Sequence, residues 1–160
     1  MYMYGCYHHS VSDSGLLVDI LGKETVKSGV TEPAKLGESL KSAFLDFDAR
    51  MKPLCEEVGD RSGATATTVL LTPSHIICAN SGDSRSVLCR GGKPYALSRD
   101  HKPDLDDERQ RIVNAGGTVF MKRVNGNLAV SRALGDFPYK QNADIVRLFA
   151  DNNMLFYIIH

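Results

Sequence analysis

The sequence predicts an α+β fold, and three observations carry that expectation. An apolar period of a helix begins at Leu36, threonine-rich and β-branched runs follow from Ala64, and an acid-rich helical segment begins near Asp104. Loops of two to six residues separate the β-like runs, which favours antiparallel pairing, because a parallel crossover needs about a dozen residues or more. The chain has 160 residues, enough for one domain with its own core. At 42% hydrophobic and 24% charged it reads as globular, which excludes disordered, collagen-like and coiled-coil classes.

The elements follow in order. Residues 1–35 are polar and interrupted by Gly5, Gly15, Gly22, Gly29 and Pro33, and within them Leu16–Leu21 reads as one or two apolar helical turns. Leu36, Leu40, Ala43, Phe44, Phe47, Met51 and Leu54 then share one helical face, and Pro53 is expected to kink or end that helix. Past a polar link at Gly59–Gly63, strands are expected at 64–71, 75–79, 86–90 and 95–97 as a four-stranded meander. Pro73-Ser74 marks one turn and Gly91-Gly92 a hairpin.

The second helix takes Asp104 as its cap, with Asp106, Asp107 and Glu108 in its first turn. Ile112, Val113 and Ala115 form its apolar side, and Gly116-Gly117 a left-handed end. Residues 118–121 and 128–130 flank Asn125-Gly126 as a hairpin, and Ser131–Leu134 reads as a short helical turn. The segment Leu155–His160 reads as an apolar strand that leaves an unpaired edge.

Composition narrows the function. Nineteen basic residues balance nineteen acidic ones, so no net field favours nucleic acid or an anionic membrane. The longest apolar run, Met154–Ile159, has six residues where a span needs about twenty. The start of the chain lacks the charged and apolar blocks of a secretory signal, so the expectation is an intracellular protein, cytoplasmic or nuclear. Cys6, Cys55, Cys78 and Cys89 are too widely spaced for a zinc knuckle, and Cys78 and Cys89 read as buried thiols. Neither a P-loop, a dinucleotide fingerprint, a nucleophile elbow nor a zinc-protease motif occurs, and the five histidines lack metal-cluster spacing. What remains is a set of acidic turns: Gly82-Asp83-Ser84-Arg85, Arg99-Asp100-His101-Lys102 and Gly135-Asp136. Carboxylates freed by glycine suit hard oxygen-ligated ions such as Mg2+ or Mn2+, and the same residues serve ordinary turns.

Five blocks carry a resemblance: Asp60–Ala66, Asn80–Arg85, Asp100–Pro103, Asn114–Gly117 and Arg123–Asp136. In order and spacing they resemble the metal-dependent serine/threonine protein phosphatases of the type-2C (PPM) family. The resemblance implies a partial PPM-type α-β-β-α sandwich, two antiparallel sheets flanked by helices. It places an incomplete phosphatase core at 36–140, between a poorly matching segment at 1–35 and a divergent tail at 141–160. It also implies hydrolysis of phosphoserine and phosphothreonine proteins by a water activated between two Mg2+ or Mn2+ ions.

Carried over residue by residue, the resemblance assigns Asp83 as a metal contact. It places Lys102 and Arg123 in the family's flap, a segment beside the active site, as cations that meet a phosphopeptide or as ordinary surface charge. Ser131, Arg132 and Asp136 read as scaffold. The family's Asp-Gly-His-Gly motif and its later Asp-Gly and Asp-Asn aspartates have no counterparts in this sequence. Tyr7-His8-His9-Ser10 stands where the first would fall, so His9 is a remote candidate for the general acid, or an exposed terminal histidine. Asp144 and Asp151 lack the required neighbours. The resemblance therefore implies a phosphatase-family chain with weak or no activity of its own, or alternatively a non-catalytic pseudophosphatase that binds phosphoproteins or partner proteins. Oligomeric state is open.

Overall fold

A computed structural model describes residues 2–4, 22, 32–140 and 156–159. Helix α1, Pro33–Val58, opens with a proline in its first turn, where a missing N–H would be unpaired anyway. Its buried side chains are Leu36, Leu40, Ala43, Phe44, Phe47, Met51 and Cys55. The helix does not end at Pro53 but continues to Val58, closing on a left-handed Gly59. Pro53 faces solvent while Met51 and Cys55 are buried on either side of it, so packing holds the helix where one backbone bond is lost. The same register corrects a second expectation: Cys55, four residues after Met51, is buried, whereas Leu54 is 47% exposed.

Strands β1 (Tyr2–Tyr4), β3 (Ala66–Leu71), β4 (Ile76–Ser81) and β10 (Phe156–Ile159) form one antiparallel sheet in the order β1-β3-β4-β10. In its centre Ala66 pairs with Ser81, Thr68 with Ala79 and Leu70 with Ile77. Alternation then sends Ala66, Leu70, Ile77 and Ala79 to the α1 side, where they join the helix's core cluster. Thr67 and Asn80 lie on the opposite face and are also buried, under the polar loops that hold Gly82, Ser86 and Arg99. Thr67 bonds the Ser86 hydroxyl at 3.0 Å, and Asn80 Nδ2 donates to Gly82 O and Arg99 O, each at 3.0 Å. Two buried faces explain why these strands read as threonine-rich and only partly alternating.

The four-stranded meander is corrected. β4 pairs with β3 and with β10, so its second edge is taken by a segment 75 or more residues away along the chain. β5 (Val87–Arg90) and β6 (Lys93–Ala96) instead form a separate two-stranded ribbon, turning at Gly91-Gly92 with φ of 59° and 73°. That double left-handed turn is the hairpin expected from the sequence. Cys78 is fully buried as expected, but Cys89, on the ribbon, is exposed. The apolar segment near the C-terminus is a strand as read, and its inner edge is paired with β4.

Two short pairs complete the frame. β2 (Gly63–Ala64) pairs with β9 (Leu134–Gly135), which replaces the helical turn expected at 131–134. Helix α2 spans Asp106–Asn114. Its N-cap is Leu105, with no side-chain cap; Asp104 instead pairs with Lys122 at 3.0 Å. At its other end Gly117 N–H bonds Ile112 O and Gly116 N–H bonds Val113 O, both at 2.9 Å, the double closure of a Schellman motif. Val113 is half exposed, and the buried face runs through Glu108, Arg111, Ile112 and Ala115. The hairpin after α2 turns earlier than expected. β7 (Val119–Phe120) pairs with β8 (Arg123–Val124) around Met121-Lys122, and Asn125-Gly126 makes a second turn closed by a Val124–Leu128 bridge. Among the described residues, no helix is long and apolar enough to cross a membrane.

The α1 register is checked by urea denaturation. Phe44, fully buried, should cost about 3–5 kcal/mol when changed to Ala, whereas Leu54→Ala should cost under about 1 kcal/mol. Equal losses at both positions would refute this orientation of the helix.

Candidate functional site

The site is assembled on the loop Arg99–Lys102, four consecutive residues that reach four different partners. Arg99 makes a two-pronged bond to Asp107 of α2, at 2.7 Å on each arm. Asp100 receives Arg85 in the same manner, at 2.6 and 3.0 Å, and this bonding holds the Asp100 carboxyl below its ordinary range. Lys102 forms an ion pair with Asp83.

His101 is buried and locked to Gly82 in both directions. Its N–H donates to Gly82 O at 3.0 Å, and its ring Nδ1 accepts the Gly82 N–H at 3.1 Å. Gly82 stands at φ 102°, and a Cβ there would collide with the Thr65 side chain, so only glycine brings the backbone this close. An accepting Nδ1 places the neutral ring's proton on Nε2. Burial, with the Arg132 charge adding to it, lowers the His101 pKa from 6.5 to about 4. The Arg111 and Arg99 charges push the same way, and Glu108 opposes them.

Behind this loop lies a buried ionic group. Glu108 on α2 is 3% exposed and accepts from Arg132 at 3.0–3.1 Å through Nε and from Arg111 at 2.7 Å. Burial raises the Glu108 pKa, but the bonds from both guanidiniums outweigh it and bring the value from 4.5 down to about 2. Arg111 also donates to Ser131 O, and Ser131 N–H bonds His101 O at 3.0 Å. Ser131 and Arg132 are thus scaffold, as the sequence suggested. Asp136, in left-handed conformation at φ 49°, lies against Gly63 at the β2–β9 junction, and burial raises its carboxyl pKa. Asp48 of α1 anchors the same junction, accepting from Gly135 N–H at 2.7 Å and pairing with Lys140.

The structure brings together three residues singled out from the sequence. Lys102 and Arg123 line one open pocket of about 340 Å3 with Asp104, Met121, Lys122 and Ala129, and Asp83 is bound to Lys102 at its side. Arg123 donates to Asn127 O at 2.6 Å, and among the described residues no carboxylate pairs with it. His9, Asp144 and Asp151 lie outside the described residues.

Sequence reasoning passed over His101 and Glu108. His101 stood in plain view within Asp100-His101-Lys102-Pro103. Glu108 was readable by extending the Ala115–Ile112 face back one turn, which lands a carboxylate on the buried side.

Residues 16–154 match the Protein phosphatase 2C family, and the chain belongs to it. It is 43% identical over 141 residues to protein phosphatase 1A of Bos taurus, covering 86% of this chain and 35% of that protein. It is 49% identical over 111 residues to protein phosphatase 2C homolog 2 of Saccharomyces cerevisiae, covering 67% and 24%. The chain thus spans between 24% and 35% of the length of the curated relatives it matches.

Among solved structures, a C. elegans sex determining protein aligns with TM-score 0.76 and 24% identity over 98% of this chain and 38% of its own. The catalytic domain of the serine/threonine phosphatase PstP, solved with two manganese ions, aligns with TM-score 0.51 and 19% identity over 98% and 59%. These likenesses show the fold, and the α+β class with a partial phosphatase sandwich stands.

The family is metal-dependent, so the donor set matters. Among the described residues, no group of three or more His, Cys, Asp or Glu side chains converges. The Asp83 carboxylate already faces the Lys102 ammonium. An ion that wants about six oxygens does not fit this donor set.

His101 supplies a pH test. The unfolded chain binds more protons than the folded one between pH 6.5 and about 4, so stability is full above 6.5 and falls as pH drops through that window. The limiting slope is about 1.4 kcal/mol per pH unit for one proton. His101→Asn keeps an acceptor for Gly82 N–H and removes the titration, so urea denaturation at stepped pH should show a flatter profile across that range. An unchanged slope would rule out His101 as the source.

Proposed function

We propose that this chain is part of a protein phosphatase that removes phosphate from phosphoserine and phosphothreonine proteins. On this reading its described residues supply the fold and the phosphate-facing cations, while the 160-residue chain alone hydrolyses weakly or not at all. The observation that carries the reading is the pairing of Asp83 with Lys102 beside a pocket where Lys102, Lys122 and Arg123 converge. Lys102 and Lys122 keep carboxylate partners in Asp83 and Asp104, so Arg123, which no carboxylate pairs with among the described residues, is the cation best placed to take a phosphate, and its guanidinium offers two parallel N–H donors. Asp83, taken from the sequence as a metal contact, serves here as the counter-ion that holds Lys102 at the pocket's side. No hydrolytic step is assigned through a metal, because the described donors do not form a site for one.

The same pocket favours a second reading, a non-catalytic module that binds phosphoproteins. The two share a surface and differ in turnover. Intracellular placement, cytoplasmic or nuclear, remains part of the proposal, since phosphoprotein substrates of this kind reside there.

Hydrolysis of a phosphothreonine peptide and of p-nitrophenyl phosphate, each with Mn2+, Mg2+ or chelator, tests whether the 160-residue chain turns over on its own. The folded chain should show no rate above the chelated blank, and Asp83→Ala should match it. A metal-dependent rate lost in Asp83→Ala would overturn the claim of weak activity. In chelator, Arg123→Ala should weaken phosphopeptide binding about tenfold, with a steeper loss at high salt in the parent chain than in the variant. Unchanged affinity would remove Arg123 from the phosphate site.

A further inference from the structure

Resting on that phosphoprotein reading, we propose that Met121 selects the residue beside the phosphate: the β7–β8 tip takes phosphopeptides with an apolar side chain next to the phosphorylated residue. Met121 and Lys122 fill the two central positions of a tight turn at φ 50° and 62°. Glycine, Asn or Asp occupies such positions easily, whereas other residues carry a steric cost of about 1–2 kcal/mol each. Lys122 recovers part of that cost through its pair with Asp104. Met121 recovers little within the chain, since it is 77% exposed. Backbone strain of this kind clusters at ligand-contacting turns.

The lining gives the ligand's chemistry. Lys102, Lys122 and Arg123 line the recess together with Asp104, and Met121 and Ala129 are its apolar members. Phe120, 65% exposed and directly across the ribbon from Arg123, extends the apolar surface at the tip. A recess of about 340 Å3 suits one phosphorylated side chain and part of its neighbour. The unbranched thioether of Met adapts to apolar partners of different shape. An anionic membrane is a poorer occupant, because three cations fall short of the cluster of about four to eight that marks such a surface and the chain carries no net charge.

The test uses fluorescein-labelled phosphothreonine peptides that differ only in the following residue, Leu or Asp. Fluorescence polarisation against the 160-residue chain is read in chelator, with the unphosphorylated peptides as controls. The Leu peptide should bind about fivefold more tightly, equivalent to about 1 kcal/mol. That preference should fall below twofold in Met121→Asn and in Met121→Gly, both of which accept the left-handed turn and should keep the parent Tm. If neither phosphopeptide binds, the phosphoprotein reading itself fails. Equal binding of both peptides, or a preference that survives both variants, overturns the role of Met121 alone. Binding to phosphatidylserine vesicles that is lost in Met121→Asn, without any peptide preference, would reassign the tip to a membrane surface.

Discussion

The reciprocal clasp between Gly82 and His101 is the constraint on which the rest of the site depends. It joins the end of β4 to the loop after β6 with two bonds of 3.0 and 3.1 Å, and it works only with an unprotonated Nδ1. Each neighbour of the clasp then falls into reach of a partner. Asp83 meets Lys102, Arg85 meets Asp100, and Asn80 spans Gly82 O and Arg99 O. A glycine at 82 is required twice over, for its φ and for the space that Thr65 occupies. A surface of charged residues is thereby set on a backbone that has little freedom to rearrange.

The Glu108–Arg132–Arg111 group performs the matching task from below. Burying three charges is costly, and such groups often add little net stability over an apolar replacement. What this one provides is geometric. Arg111 and Arg132 are drawn to a single carboxylate, which docks α2 against residues 131–132, and Ser131 passes the register to His101 through one backbone bond. Losing any one member would leave a buried charge or a buried donor without its partner, so the group behaves as a unit. It joins segments 24 residues apart in the sequence.

Family membership and local chemistry point to different aspects of function. The match to the Protein phosphatase 2C family runs over residues 16–154 and so takes in both this scaffold and the β7–β8 region. The described residues therefore account for how three cations of one pocket are held, with Lys102 anchored by Asp83, Lys122 by Asp104 and Arg123 by a carbonyl. They present charge rather than a cluster of ligating oxygens.

How much was legible beforehand divides along a physical line. The sequence by itself determined the features governed by near neighbours. These are the α1 stripe from Leu36 to Met51, the Gly91-Gly92 hairpin, the glycine closure of α2, and the motif blocks that mark the family. Each depends on side-chain period or on backbone conformation within a few residues. Only the tertiary structure decided what depends on partners far along the chain. The second edge of β4 went to Phe156–Ile159 instead of β5, α1 ran through Pro53 because Met51 and Cys55 are buried, and Asp104 left the helix cap for Lys122. The same holds for the candidate site: Asp83, Lys102 and Arg123 were readable as residues, but their meeting was not. Ion pairs across 19 residues and sheet edges shared across 75 or more are chosen by the packed whole, where burial and competing partners outweigh local preference.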